Sequence, residues 1–147
     1  MKGIVQKSDP FDDGKCSDRE RCMVCKSEGK KNGCCRRECV EYEIKCEMCE
    51  DVYEGESSRN AYTRGNEHLT AYEKKEKESV LWRHTSTQHQ ENDTPNFTMK
   101  VTRTHNSALS RQVSEAVTIS NTPGNKLINN KQEFGHNLLW RVSITTA

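Results

Sequence analysis

The chain has 147 residues, of which 31% are hydrophobic and 31% charged, with a formal net charge of +1. That length has room for one modest domain, and so little apolar material excludes a large core unless a metal or crosslinks reinforce it. The near-neutral balance excludes a nucleic-acid partner recruited by overall charge, so any basic surface has to be local; the sequence has no transmembrane run and no secretory signal, which sets the expectation of an intracellular protein with no membrane partner.

In chain order, residues 1–15 read as a disordered leader broken by Pro10 and Gly14. Residues 16–39 form a Cys-rich, basic segment. The eight cysteines stand at 16, 22, 25, 34, 35, 39, 46 and 49. Without a secretory signal their clustering favours metal over disulfides. Cys22-x-x-Cys25 has the spacing that turns two thiolates toward one tetrahedral ion, so a zinc knuckle is expected here. The preferred ligand set is Cys16, Cys22, Cys25 and Cys35, with Cys34 and Cys39 as competitors for the fourth place. Lys26, Lys30, Lys31, Arg36 and Arg37 surround this knuckle. They read equally as phosphate contacts and as a solvated surface.

A hairpin follows. Alternation over residues 40–46 sends Val40, Tyr42, Ile44 and Cys46 to one face and Glu41, Glu43 and Lys45 to the other. A second strand is expected over 51–55, with Tyr53 opposite in facing to Val52 and Glu54. Cys46 and Cys49 sit at the hairpin tip, either on a second metal or unligated. Ser57 or Ser58 is the expected N-cap of a helix over 59–77, with Ala61, Arg64, His68 and Tyr72 along one face. Gly65 costs about 1 kcal/mol inside a helix, so some close packing has to require it. A second helical piece spans 79–89, in which His84 and His89 read as surface or packing residues rather than ligands. Residues 88–95 form a loop. Asn96-Phe97-Thr98 fits the glycosylation pattern, which carries little weight without a secretory signal.

A third strand spans 97–104. A helix then covers 107–120, with Leu109, Val113, Ala116 and Val117 as its buried stripe and Arg111 one turn from Glu115. A turn at Thr122-Pro123-Gly124 ends it. A short segment over 127–131 and an apolar tail over 138–144 complete the chain. The expected architecture is a small α/β domain over 40–147, with a three-stranded, mainly antiparallel sheet flanked by helices and preceded by the knuckle.

Several of these pieces fall in a recognisable order. They are Tyr42 and Tyr53 on a hairpin, then Gly55-Glu56-Ser57-Ser58-Arg59, then Arg64-x-x-x-His68. After them come SVLWRH from Ser79, the strand FTMKVTRT, RQVSEAVTI around Glu115 and LINNK around Asn129. Over residues 40–131 this order resembles the GIY-YIG nuclease domain in the form found in Penelope-like retroelements, whose domains can also carry a Cys-rich lead-in.

The resemblance implies a metal-dependent endonuclease that hydrolyses phosphodiester bonds of DNA, in a nuclear setting and with no small-molecule substrate. In that reading Tyr42 is the general base, assisted by Tyr53. Arg64 holds the phosphate, His68 contacts a tyrosine hydroxyl, and Asn129 orients the pocket. Glu115 is the one carboxylate on a magnesium or manganese ion. Arg59, with the knuckle cations, contributes to DNA binding.

Two departures from the family pattern bear on activity. The second tripeptide is Tyr53-Glu54-Gly55, where an apolar middle residue is usual, and the first keeps only Tyr42. A buried carboxyl at 54 has to be neutral or costly. A degenerate, slow or inactive descendant fits these departures. The alternative is a non-catalytic nucleic-acid-binding zinc protein on the same scaffold; a third, weaker reading is a zinc-stapled protein-interaction module with no nucleic-acid partner.

Overall fold

The computed structural model describes residues 16, 20–28 and 34–129. The expected leader, Lys30, Lys31 and the tail at 138–144 lie outside the described residues. Three strands, β1 (Val40–Cys46), β2 (Val52–Ser57) and β3 (Phe97–Thr104), form one sheet in the order β2-β1-β3. Both pairings are antiparallel, with Tyr42 opposite Gly55 on one side and Val101 on the other. The helices are α1 (Met23–Glu28), α2 (Ala61–Glu73), α3 (Val80–Gln88) and α4 (Ala108–Asn121), with 3-10 turns at Cys34–Arg36 and Gly124–Lys126. The expected mixed α/β architecture with an antiparallel sheet and a leading cysteine cluster is present. No helix among the described residues is long and apolar enough to cross a membrane.

The central strand explains the rest. The alternating face of β1 buries Val40, Tyr42, Ile44 and Cys46 completely. They meet Phe97 and Met99 of β3, Ala61 of α2 and Leu81 of α3 in one cluster. Cys22, Met23, Val24 and Cys35 belong to the same cluster. The described residues of the Cys-rich segment therefore share the core of the sheet. Each aliphatic side chain fully buried here contributes about 1.5–3 kcal/mol, and in so polar a chain these few positions matter greatly.

Gly65 lies where α2 crosses this cluster. A Cβ there would stand 3.1 Å from Met99 Sδ and 3.4 Å from Met23 Cε. The close packing expected of this glycine is thus against two methionines, one from β3 and one from α1.

The helix ends follow local chemistry. The N-cap of α2 is Asn60, whose side chain accepts from the Thr63 N–H at 2.8 Å, in place of the expected Ser57 or Ser58. The reason is that β2 runs on to Ser57, and the chain has to turn before a helix can start. At the other end Lys75 takes a left-handed φ of 54°. The Lys75 and Glu76 N–H groups reach back to Tyr72 and Ala71, a Schellman closure that stops the helix short of the expected residue 77. Ser79 and Ser107 cap α3 and α4, accepting from the Trp82 and Ser110 N–H groups.

The packed face of α4 differs from the expected one. Leu109 and Val117 are exposed, while Arg111, Ala116 and Ile119 are buried. The cause is the surface that α4 meets, the Glu41/Glu56 face of the sheet. Ser114 Oγ and Thr118 Oγ1 each donate to the Glu41 carboxylate at 2.6 Å, and His105 Nε2 lies 3.1 Å from it. Arg111 pairs with Glu56 instead of Glu115. Burial by itself would push the Glu41 carboxyl up, but these hydrogen bonds outweigh it and its pKa is lowered. A polar patch on the sheet has therefore selected the polar side of the helix.

Candidate active site and metal centres

Tyr42 is the centre of the first site. Its ring lies directly over Gly55 of the neighbouring strand, where a Cβ would come within 2.5 Å of the Tyr42 Oη and Cζ atoms. Only glycine leaves that path open. The hydroxyl reaches α2, where Arg64 Nε donates to it at 3.1 Å and His68 Nε2 lies at 2.9 Å. Tyr53 completes the group, with ring centroids 6.4 Å from Tyr42 and 5.4 Å from His68. Helical spacing explains the pairing, because Arg64 and His68 are one turn apart on the face toward the sheet.

The electrostatics of this cluster are set by burial. Desolvation pushes the Tyr42 phenol up, partly offset by Arg64. Burial, followed by the Arg64 charge, lowers His68 to about 3. Burial also works against the charge of Arg64, but Tyr42 and Glu67 outweigh it and its pKa is raised. At neutral pH the cluster therefore holds a neutral phenol, a neutral imidazole and a fixed guanidinium. Arg64 donates to the Tyr42 oxygen, and the Tyr42 hydroxyl and His68 Nε2 share a hydrogen bond.

Of the other two expected residues, Asn129 lies along the open edge of β2 and Glu115 on the helix that covers the Glu41/Glu56 face. Asn129 brackets Glu54 in the manner of a strand partner: its Oδ1 accepts from the Glu54 N–H at 3.0 Å and its Nδ2 donates to the Glu54 C=O at 2.9 Å. This joins a parallel bridge between Val52 and Leu127 on the same edge. Glu115 is half-buried on α4, and its charge contributes to the upward shifts of both Tyr42 and Glu54. Glu54 itself is only 2% exposed, and its Oε2 has no hydrogen-bond partner among the described residues. Burial and then the facing Glu43 push its carboxyl up to about 8, so it is largely protonated at neutral pH.

Of the expected DNA contacts, Lys26, Arg36, Arg37 and Arg59 are exposed. Arg59 is paired with Glu67.

The cysteines form two groups. The sulfurs of Cys16, Cys22, Cys25 and Cys35 all lie within 4.8 Å of one another, and those of Cys25 and Cys35 are 3.9 Å apart. Tetrahedral zinc thiolates at 2.3 Å place their sulfurs about 3.8 Å apart, so this set fits such an ion. It is the expected ligand set, with Cys35 in the fourth place. Cys39 lies outside it, its thiol 3.9 Å from the Ser58 carbonyl. Hydrogen bonding from Cys35 draws the Cys22 thiol down to about 5, while burial pushes Cys25 up to about 11. One thiolate is thus favoured at the expense of its neighbours, and a divalent cation is what would let all four ionise.

The second group combines the hairpin tip with α3. Cys46, Cys49, His84 and His89 converge. Cys46 Sγ is 3.5 Å from His89 Nε2, Cys49 Sγ is 3.3 Å from His84 Nε2, and the two Nε2 atoms are 3.2 Å apart. Those edges match a tetrahedral Cys2His2 zinc site, for which about 3.3–3.6 Å is expected. The knuckle is shaped by Glu50, whose left-handed φ of 65° accompanies a bond from its N–H to the Cys46 carbonyl. The reading of His84 and His89 as surface or packing residues is corrected here, since both face the cysteine pair. The signal was available in Cys46-x2-Cys49 and His84-x4-His89, both zinc-ligand spacings. The long stretch between the pairs concealed it. Both groups can therefore hold a metal such as zinc.

Compared with known protein families, with curated proteins and with solved structures, the chain gives no match.

Proposed function

We propose that this protein is a metal-dependent DNA endonuclease of the GIY-YIG type. The observation that carries the reading is the Tyr42 hydroxyl, held between a guanidinium and a neutral imidazole under a glycine that leaves it room. Hydrolysis of a phosphodiester needs an acceptor for the proton of the attacking water and a cation for the charge that develops on phosphate. Tyr42 is the general base for that proton in this reading, with the Arg64 charge favouring its ionised form and His68 orienting its hydroxyl. Arg64 offers its remaining N–H groups to the phosphate oxygens. Tyr53 walls the pocket, and Asn129 fixes the edge of β2 next to it. A magnesium or manganese ion on Glu115 would supply Lewis-acid assistance to the phosphoryl group. Arg59 and the cations near the Cys knuckle would contribute to DNA binding.

The decisive experiment incubates metal-loaded protein with supercoiled plasmid and magnesium. Nicking is expected, falling by about 10²–10⁴-fold in Tyr42→Phe and similarly in Glu115→Ala. No nicking by the wild type, or nicking that survives both substitutions, would reject the assignment. The buried acid at Glu54, in a position usually apolar in that family, favours one second reading, a non-catalytic DNA-binding zinc protein on this scaffold. Salt-sensitive DNA binding without nicking would support it.

A further inference from the structure

Glu67 stands at the mouth of the Tyr42 cluster. Its Oε2 is 3.0 Å from Arg64 Nη1, and its Oε1 is paired with Arg59 Nη1. Arg64 simultaneously holds the Tyr42 hydroxyl through Nε. One carboxylate therefore spans two arginines on the solvent side of the group to which the nuclease reading assigns the chemistry. Glu67 is 34% exposed and Arg64 29%, so solvent reaches the pair.

Helix electrostatics do not account for this arrangement. The first turn of α2 carries no acidic residue. Two arginines near the positive end of its dipole are unfavourably placed, and an acid C-terminal to its basic partner is the weaker order for a helix pair. A carboxylate and a phosphodiester, however, make the same demand on arginine: two terminal oxygens accepting from planar N–H donors.

We propose that Glu67 occupies the phosphate seat in the substrate-free protein, holding Arg59 and Arg64 in position and yielding to a DNA phosphate when it arrives. The inference rests on the nuclease reading and adds a positioning residue to it. It makes Arg59 a partner of Arg64 on the same phosphate. It also makes Glu67 a competitor whose removal strengthens binding, whereas loss of a merely structural ion pair leaves affinity unchanged or weaker.

The test measures binding of a fluorescein-labelled DNA duplex to the zinc-loaded full chain at low salt, in buffer without magnesium. Glu67→Gln is expected to bind about five- to tenfold more tightly than the wild type. The gain should shrink in the Arg59→Ala/Glu67→Gln double variant, measured against Arg59→Ala alone, because only Arg64 is then released. Glu73→Gln removes the same charge at the far end of α2, where Glu73 pairs with Arg21, and is expected to gain little. Glu67→Asp, too short to span both arginines, should fall between wild type and Glu67→Gln, and provides a second variant if the first is unstable. A Glu67→Gln protein that binds no more tightly, or a Glu73→Gln protein that gains as much, overturns the proposal and leaves the nuclease reading standing. A wild type that binds no duplex overturns both.

Discussion

At the scale of single residues, Glu54 and His68 give the protein a pH signature. The Glu54 carboxyl titrates near 4.5 when exposed and near 8 in the fold. The folded state thus holds a proton that the unfolded chain releases, and stability declines as pH rises from about 4.5 to about 8. The magnitude is of order 4 kcal/mol for a side chain this deeply buried. His68 acts in the opposite sense. Its folded value of about 3 lies below the ordinary 6.5, so stability is lost as pH falls below about 6.5. Urea unfolding at a series of pH values should therefore show wild-type stability levelling between about pH 4.5 and 6.5, where the two groups oppose each other, and declining to about pH 8. Glu54→Gln should instead extend the rise to about pH 6.5 and remove the decline. An unchanged decline would mean that another group carries it.

Glu54 also shows how far the sequence could be read at this scale. The strict alternation around Tyr53-Glu54-Gly55 located its side chain on the face opposite Tyr53, and predicted a neutral or costly acid. That its backbone would be bracketed by Asn129 could not be read, because the two are 75 residues apart and nothing local links them.

At the scale of elements, the packing of the Tyr42 ring of β1 over Gly55 of β2 is the sensitive point. Gly55→Ala puts a methyl group where the Tyr42 ring lies. It should cost about 1–3 kcal/mol as overpacking and should pull the hydroxyl away from Arg64 and His68, so nicking should fall further than stability alone explains. Thermal unfolding and plasmid nicking measured together separate the two effects. The docking of α4 offers a contrast. Glu41→Ala strips partners from Ser114, Thr118 and His105 and is expected to cost about 2–4 kcal/mol. Leu109→Ser on the exposed side should stay within about 0.5 kcal/mol.

Periodicity located α4 nearly to the residue and put Ala116 inside, but Leu109 and Val117 of the expected stripe are exposed. Leu109, Val113 and Val117 form a respectable apolar stripe, yet the sheet face they would have needed is occupied by Glu41 and Glu56. A helix orients to the surface that it meets, and local sequence does not contain that surface.

At the scale of the whole molecule, two metal sites would compensate for a small core. One pins α1 and the Cys34–Arg36 turn, and the other joins the β1–β2 hairpin to α3. Purified protein is expected to carry about two zinc ions per chain, falling by one in Cys49→Ser or His84→Ala and by the other in Cys22→Ser. Atomic absorption counts them, and cobalt substitution distinguishes the sulfur-only site from the mixed one by its spectrum. Chelation should lower the unfolding temperature substantially, since binding to the folded chain adds directly to stability.

The sequence by itself determined the local matters: three strands by alternation, helices beginning near Ser79 and Ser107, a metal-ligand spacing at Cys22-x-x-Cys25, and the order of the Tyr42, Tyr53, Arg64 and His68 pieces. These depend on neighbours within a few residues, where backbone period and ligand spacing dominate. Tertiary structure decided what those neighbours cannot encode. It placed His84 and His89 against the hairpin cysteines, turned the polar side of α4 inward, and laid the Glu67 carboxylate across two arginines. Each of these depends on which surfaces meet once the chain has collapsed, and that is settled by the shared burial of β1, not by any segment alone.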